Sequence, residues 1–337
     1  MISRRLEFEM NKVKKQTLTK ILAVVVTVGL LTILFSQINL SDIIATLTSI
    51  DPVYILMGFI LYLCSYFFKT LRFYILLNNK VSIKHLFSIV CIHNMANNIL
   101  PARTGEISYV YLSNKLHNIP LGEGVASLIV ARVFDFATIS FLFFLSTMLI
   151  RDLPEVVSRI IWIPAVLLVF VLLFFFAIAF FVEYSLETIR RVADRINALQ
   201  FSLVQYLLRN VDETLQSYKS MKSKRLFGGV FVASIMIWCF QYSMLYILAN
   251  AMNIHLAFWC MIFALTFAFF TTVLPIQTIG GFGTIEGGWA LGFMIMGISK
   301  EMAISSGFGF HAILLGFALV IGAFGLLNIY LKNRAQY

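Results

Sequence analysis

The chain has 337 residues, 60% of them hydrophobic and 12% charged, and a formal net charge of +10. Soluble domains are roughly 45–50% apolar, so this composition excludes an ordinary soluble enzyme and describes a polytopic membrane protein with no room for a separate soluble domain. In that setting the positive charge fits cytoplasmic loops facing anionic lipid, and nucleic acid is not an expected partner.

A helix needs about 20 apolar residues to cross a hydrocarbon core of roughly 30 Å. Full spans are predicted at 21–38, 53–77, 124–150, 160–182, 226–249 and 303–331, with less regular regions at 86–118 and 256–298. Residues 1–20 carry Arg4, Arg5, Lys12, Lys14, Lys15 and Lys20, and no small-residue cleavage site follows, so the first span is expected to stay. The next connection offers only Asp42 and Asp51, which puts the N-terminus in the cytoplasm. Residues 183–225 hold more basic than acidic side chains and belong on the same side, their apolar residues recurring at the spacing of amphipathic helices. Lys332 and Arg334 place the tail, 332–337, inside as well, in a multi-pass protein of the cell membrane.

These assignments require region 86–118 to begin and end on the cytoplasmic face. Its first arm is short, and its second, "EISYVYLSNKL", is too polar to face lipid. It is therefore read as a helical hairpin entering from the cytoplasm, with "LPART" at the tip. Region 256–298 repeats the pattern from the opposite face, whether it re-enters or crosses twice. "LPARTGE" (100–106) and "LPIQTIGGFGTIE" (274–286) share Leu-Pro, a Thr four positions after the Leu, glycine, and a Glu opening the second arm. The expected fold class is an all-α polytopic membrane protein with about six full spans plus two re-entrant or broken hairpins, arranged as an inverted repeat. One half would be 21–182 and the other 226–331. Broken helices in such repeats meet near the bilayer midplane and bind what is carried.

An Arg or Asp at the centre of a spanning helix costs roughly 2.5–3.5 kcal/mol on insertion, so such residues tend to face protein, water or substrate. Arg103 and Glu106 flank a tip where Pro101 ends one arm and Gly105 permits an unusual backbone angle. An Arg beside a helix N-terminus suits a phosphate or carboxylate; the alternative is that the two charges pair only with each other. Arg132 and Asp135 lie three apart on one helical face, either as a mutual ion pair or as part of the same cavity. Glu286 is either a protonation or ion-coupling carboxylate or an acid stabilised by its helix N-terminus. Gly280, Gly281 and Gly283 offer an anion nest, a hinge or tight packing. Lys69 and Arg72 are expected to snorkel to the interface, and His93 and His311 to be satisfied buried histidines.

Cys64, Cys91, Cys239 and Cys260 show no ligand or redox spacing and read as buried hydrophobes, so no metal or cofactor is expected. No Ser-His-Asp set, Walker loop, HExxH or DxD signature is visible, which counts against a catalytic enzyme.

"NNILPARTGE", then "ARVFD", then "LPIQTIGGFGTIEGG" resemble three ordered elements of the membrane domain of the lysylphosphatidylglycerol synthase/flippase family and its stand-alone relatives. The resemblance covers about 18–331. It implies that Asn98, Pro101, Arg103, Gly105 and Glu106 form the first element, Arg132 and Asp135 the second, and Pro275, Gly280, Gly281, Gly283 and Glu286 the third. Family members with a fused synthase domain add an amino acid to phosphatidylglycerol and flip the product; this chain stops at Tyr337, so the transfer half is not expected here. The resemblance implies a lipid flippase-like transporter moving a polar-headed phospholipid or polyprenol-linked lipid through a charged midplane cavity. Its partners would be anionic or aminoacylated phospholipids or polyprenyl-linked lipids, with a homo-oligomer left open. The alternative is a membrane glycosyltransferase or accessory subunit in lipid-linked glycan synthesis.

Overall fold

The computed structural model describes residues 40–100, 104–150, 224–273 and 278–334, with isolated positions between 29 and 36 and between 162 and 173. Among the described residues every regular element is helical. In chain order they are α1 (Leu40–Thr48), α2 (Pro52–Leu76), α3 (Ile83–Ile99), α4 (Glu106–His117), α5 (Leu121–Leu149), α6 (Lys224–Ala251), α7 (Phe258–Val273), a 3-10 turn (Ile279–Gly281), α8 (Thr284–Ile295) and α9 (Lys300–Arg334).

Local chemistry sets the boundaries. Asp51 caps α2 by accepting the Val53 N–H at 2.8 Å, with Pro52 at the first helical position, where its missing donor costs nothing. Helix α3 stops at Leu100, whose extended backbone (ψ 140°) is what a following proline imposes. Helix α4 ends on Asn118 in the left-handed region (φ 53°), a conformation Asn tolerates better than most residues.

Among the described residues four helices are long and apolar enough to cross a membrane: Pro52–Leu76, Leu121–Leu149, Leu226–Ala251 and Lys300–Lys332. They match the predicted spans at 53–77, 124–150, 226–249 and 303–331. The predicted spans at 21–38 and 160–182, the basic N-terminus and the 183–225 connection lie outside the described residues. Each of the two irregular regions holds two short helices that pack against each other, α3 with α4 and α7 with α8. At 1.5 Å per residue, α3 and α7 are about 25 Å long and α4 and α8 about 18 Å, each short of a roughly 30 Å core.

The packing has an internal two-fold pattern. Helices α2 and α6 pack along each other, α3 against α9 and α7 against α5, while each hairpin packs its own arms and passes its second arm to the next long helix. Exchanging α2–α5 for α6–α9 reproduces the same set of neighbours, as a structural repeat requires. Glycine permits the closest approaches: a Cβ on Gly292 would stand 2.1 Å from the Ala264 carbonyl oxygen, and one on Gly322 would stand 2.3 Å from Met95 Sδ. Small residues at helical spacing serve this role where lipid supplies no hydrophobic drive between helices.

Candidate functional site

A cavity of about 160 Å³ opens where α2, α3, α5, α6, α7, α8 and α9 converge. That is many times the ~10–15 Å³ one water needs. Lys69, Arg72, Arg132 and Asp135 line it together with Asn94, Asn97, Asn98 and Gln241, against walls that include Tyr62, Tyr66, Trp238 and Phe269. A charged chamber inside a bundle of apolar helices is costly unless it serves a ligand or is internally neutralised.

Part of it is neutralised by a rigid hub. Arg72 holds Asp135 in a bidentate pair, Nη1 to Oδ1 at 2.6 Å and Nη2 to Oδ2 at 3.1 Å. The Trp238 indole N–H donates to Oδ1 at 3.0 Å, and Arg72 also donates to Ser234 Oγ at 3.1 Å. Both ions are buried. The expectation that Arg72 snorkels is therefore overturned: it lies on the inward face of α2, one turn before the helix end, and finds its counter-charge there. The expected Arg132–Asp135 pair is present only as a 3.8 Å contact, because each partner has a tighter one.

Arg132 turns instead to Glu106. Its Nε and Nη2 both donate to Glu106 Oε1, at 3.0 and 2.6 Å, and about a quarter of each side chain stays exposed. Glu106 is the first residue of α4, so this bond joins the second arm of the first hairpin to α5. The hairpin is tied internally by His93, whose Nδ1 donates to the Gly105 carbonyl at 3.2 Å while Nε2 accepts from Asn97. His93 is thus the satisfied histidine expected. Gly105 corrects another expectation: its backbone is ordinary right-handed helix (φ −59°, ψ −22°), and glycine is required because a Cβ would stand 2.3 Å from the Asn97 nitrogen.

The second hairpin uses its acid differently. Gly280, Gly281 and Gly283 all have positive φ, at 63°, 76° and 83°, which side-chain-bearing residues rarely adopt. Glu286 is buried, accepts the Gly283 N–H at 2.8 Å, and pairs through Oε1 with His311 Nδ1 at 2.7 Å. It does not line the cavity; its neighbour Ile285 does. The second tip nevertheless approaches the first hairpin, since the 3-10 turn packs on α3 and a Cβ on Gly280 would come within 3.9 Å of the Asn98 carbonyl.

Of the predicted site residues, Asn98, Arg132 and Asp135 are brought together at the cavity, with Glu106 bound to Arg132. Pro101, Arg103 and Pro275 lie outside the described residues. Sequence reasoning missed Arg72, Lys69, Asn94, Asn97, Gln241 and Trp238. Two signals were available: a cation pair at i, i+3 inside an apolar helix, and the amide-rich stretch "HNMANN". Among the described residues no cluster of three His, Cys, Asp or Glu side chains could hold a metal.

The chain is similar in sequence to known membrane proteins. The family described as lysylphosphatidylglycerol synthase TM region matches residues 20–322. A UPF0104 membrane protein of Methanocaldococcus jannaschii is 27% identical over 87% of this chain and 88% of its own. One from Methanothermobacter thermautotrophicus is 23% identical over 84% and 88%. The glycosyltransferase AglD of Haloferax volcanii is 29% identical over 36% of this chain and 20% of its own length. No solved structure matches.

Proposed function

Because the chain belongs to the lysylphosphatidylglycerol synthase transmembrane-region family, we propose that it is a flippase-like transporter, passing a polar-headed lipid between leaflets through the charged cavity. The observation that carries this reading is the Glu106–Arg132 pair, a half-open ion pair at the edge of the cavity, beside the fully closed Arg72–Asp135 pair. A buried bidentate pair is strongly held, since losing one partner strands a charge. A partly exposed pair has water as an alternative and is worth little.

Arg132 is therefore the group that exchanges partners. A phosphate entering the cavity accepts from the guanidinium in the bidentate geometry it offers, and Glu106 is released. Because Glu106 opens α4, its release loosens the first hairpin from α5 and supplies the differential contact that a change of state needs. Three cations at the site, Lys69, Arg72 and Arg132, face two carboxylates, Asp135 and Glu106. The surplus favours an anionic headgroup over a cationic aminoacylated one. The four amide side chains and aromatic walls suit hydroxyl-bearing groups attached to the phosphate. Headgroup binding by Arg103, Pro101 and Pro275 belongs to this reading, as do a cell-membrane location and cytoplasmic termini.

Leaflet exchange in proteoliposomes tests it. Fluorescent phosphatidylglycerol should cross faster with protein than without, and Arg132→Gln should lower the added rate at least tenfold. Equal rates in protein-free vesicles would end the transport reading. The likeness to AglD supports a second reading, a part in lipid-linked glycan synthesis. Sugar transfer to a prenol phosphate by the purified protein would favour it.

A further inference from the structure

The Glu286–His311 pair carries an inference about what drives the cycle. Both side chains are sealed from solvent, at 0% and 1% exposure. Glu286 Oε2 accepts the Gly283 N–H at the start of α8, and Oε1 lies 2.7 Å from His311 Nδ1. A carboxylate accepts, so Nδ1 carries the proton. His311 Nε2 is buried and has no hydrogen-bond partner among the described residues.

With the carboxylate ionised, that nitrogen is where the pair can take up a proton. With the imidazole neutral, the buried pair carries one negative charge and a bare lone pair. One proton on Nε2 makes it a neutral ion pair, and burial favours the state with less net charge. The contrast with Asp135 sharpens the point. There the counter-ion is Arg72, which does not deprotonate; here it is a histidine, which does so readily. The helices packed on α8 and α9 carry titratable groups, among them Asp42 on α1, Tyr62 and Tyr66 on α2, His93 on α3, Tyr242 on α6 and Cys260 on α7. Among the described residues neither member bonds to any of them; its polar contacts are the Gly283 N–H and its partner. The cavity's permanent cations have partners of their own.

The position suits coupling. Ile285 and Phe310, chain neighbours of Glu286 and His311, both line the central cavity. Phe282 of the tip packs its ring 4.7 Å from the imidazole, and Gly307, one turn earlier on α9, lets that helix press on the Glu286 backbone. The pair is thus the clasp between the second hairpin's tip and α9, with both side chains buried.

We propose that Glu286 and His311 form a proton-binding site that couples lipid movement to proton movement. A proton from water binds His311 Nε2 when the clasp opens to one face, stays through the closed state, and returns to water when it opens to the other. No electrons move and no other reactant is needed. The idea rests on the transport reading above, so its test has two separable arms.

The first arm is histidine NMR on 15N-labelled protein in nanodiscs, independent of transport. The signal removed by His311→Gln should show uptake of a single proton at Nε2 as pH is lowered, and Glu286→Gln should change where that uptake occurs. A His311 signal that does not titrate, or that Glu286→Gln leaves unmoved, overturns the proposal even if Glu286→Gln alone fails to fold, since the wild-type titration still decides. The second arm is leaflet exchange of fluorescent phosphatidylglycerol against pH, with and without a pH gradient. Wild type should change by up to about tenfold per pH unit, as one proton requires, and accelerate with one polarity of the gradient. Glu286→Gln, with an unchanged size-exclusion profile, should give a flat profile. A wild-type profile retained in both variants overturns the coupling. Absent exchange with an intact His311 titration sinks the transport reading and leaves the proton site standing.

Discussion

The two hairpins are built alike and used differently. Each has an apolar first arm, a Leu-Pro, a glycine-bearing tip and a Glu opening a 12-residue second arm. Glu106 points its carboxylate at an Arg on a neighbouring helix and stays partly exposed; Glu286 turns back onto its own tip and a histidine, and is sealed. The repeat supplies two equivalent hairpins, and the partner on the next helix decides what each acid does. Arg132 makes the first a ligand-exchange site, and His311 makes the second a closed clasp.

Both hairpins lean on the long helices, so the largest loss should come from breaking that frame. Asp135→Ala strands the buried Arg72 guanidinium and is expected to cost about 3–5 kcal/mol, read as a lower thermal unfolding temperature in detergent. Replacing both partners by apolar residues, Arg72→Met with Asp135→Leu, should recover much of it. If the single and double variants melt together, the hub does not hold the frame.

Next come the close approaches that the hairpins share. Gly105→Ala and Gly292→Ala would place a methyl within 2.3 and 2.1 Å of backbone atoms. Each should destabilise by about 1–3 kcal/mol, and similar losses in both would show that the two hairpins are equally tight. A neutral effect at either site would mean that its arms separate readily.

The acids themselves should part company. Glu286→Ala leaves two buried donors unpaired, the Gly283 N–H and His311 Nδ1, at about 1–3 kcal/mol each. Glu106→Ala removes a partly exposed pair worth about 1 kcal/mol or less, yet should slow lipid exchange. Equal destabilisation would erase the distinction between open and closed acids.

The smallest effect lies at the base of the first hairpin. Burial holds the His117 imidazole below the usual histidine range, as do His85 and Lys332 beside it; burial and Lys332 lower His85 in the same direction. With folded values below the unfolded value near 6.5, the unfolded chain takes up protons first. Stability is full above about pH 6.5 and falls as pH drops through the folded values. The loss should be only about 0.3 kcal/mol, because these side chains are partly solvated. His85→Gln should flatten that part of the melting-temperature curve between pH 7.5 and 5.5; a curve rising toward acid would contradict the sign.

Much of this was legible in the sequence. Apolar length placed the four described spanning helices within a few residues. Leu100 before a proline placed the end of α3, and Gly105–Glu106 and Gly283–Glu286 placed the starts of α4 and α8, because backbone stereochemistry acts locally. What stayed hidden was pairing. Arg132 and Asp135 sit at helical spacing, which invites a mutual bond, but α2 brings Arg72 closer to the carboxylate. Arg72 looked like an interfacial cation because it stands near the end of a span, and sequence does not say which way that end faces. His311 showed no ligand spacing because its partner lies 25 residues away on another helix.

The central claim is that an anionic headgroup sits in the cavity between the hairpins and on Arg132. Photo-crosslinking with a phosphatidylglycerol carrying a headgroup diazirine, mapped by peptide mass spectrometry, tests it most directly. The account predicts adducts on cavity residues such as Tyr66, Asn97 and Trp238, competed by unlabelled phosphatidylglycerol and lost in Arg132→Gln. Adducts confined to exposed apolar positions such as Phe231 and Phe324, and unchanged by Arg132→Gln, would contradict it.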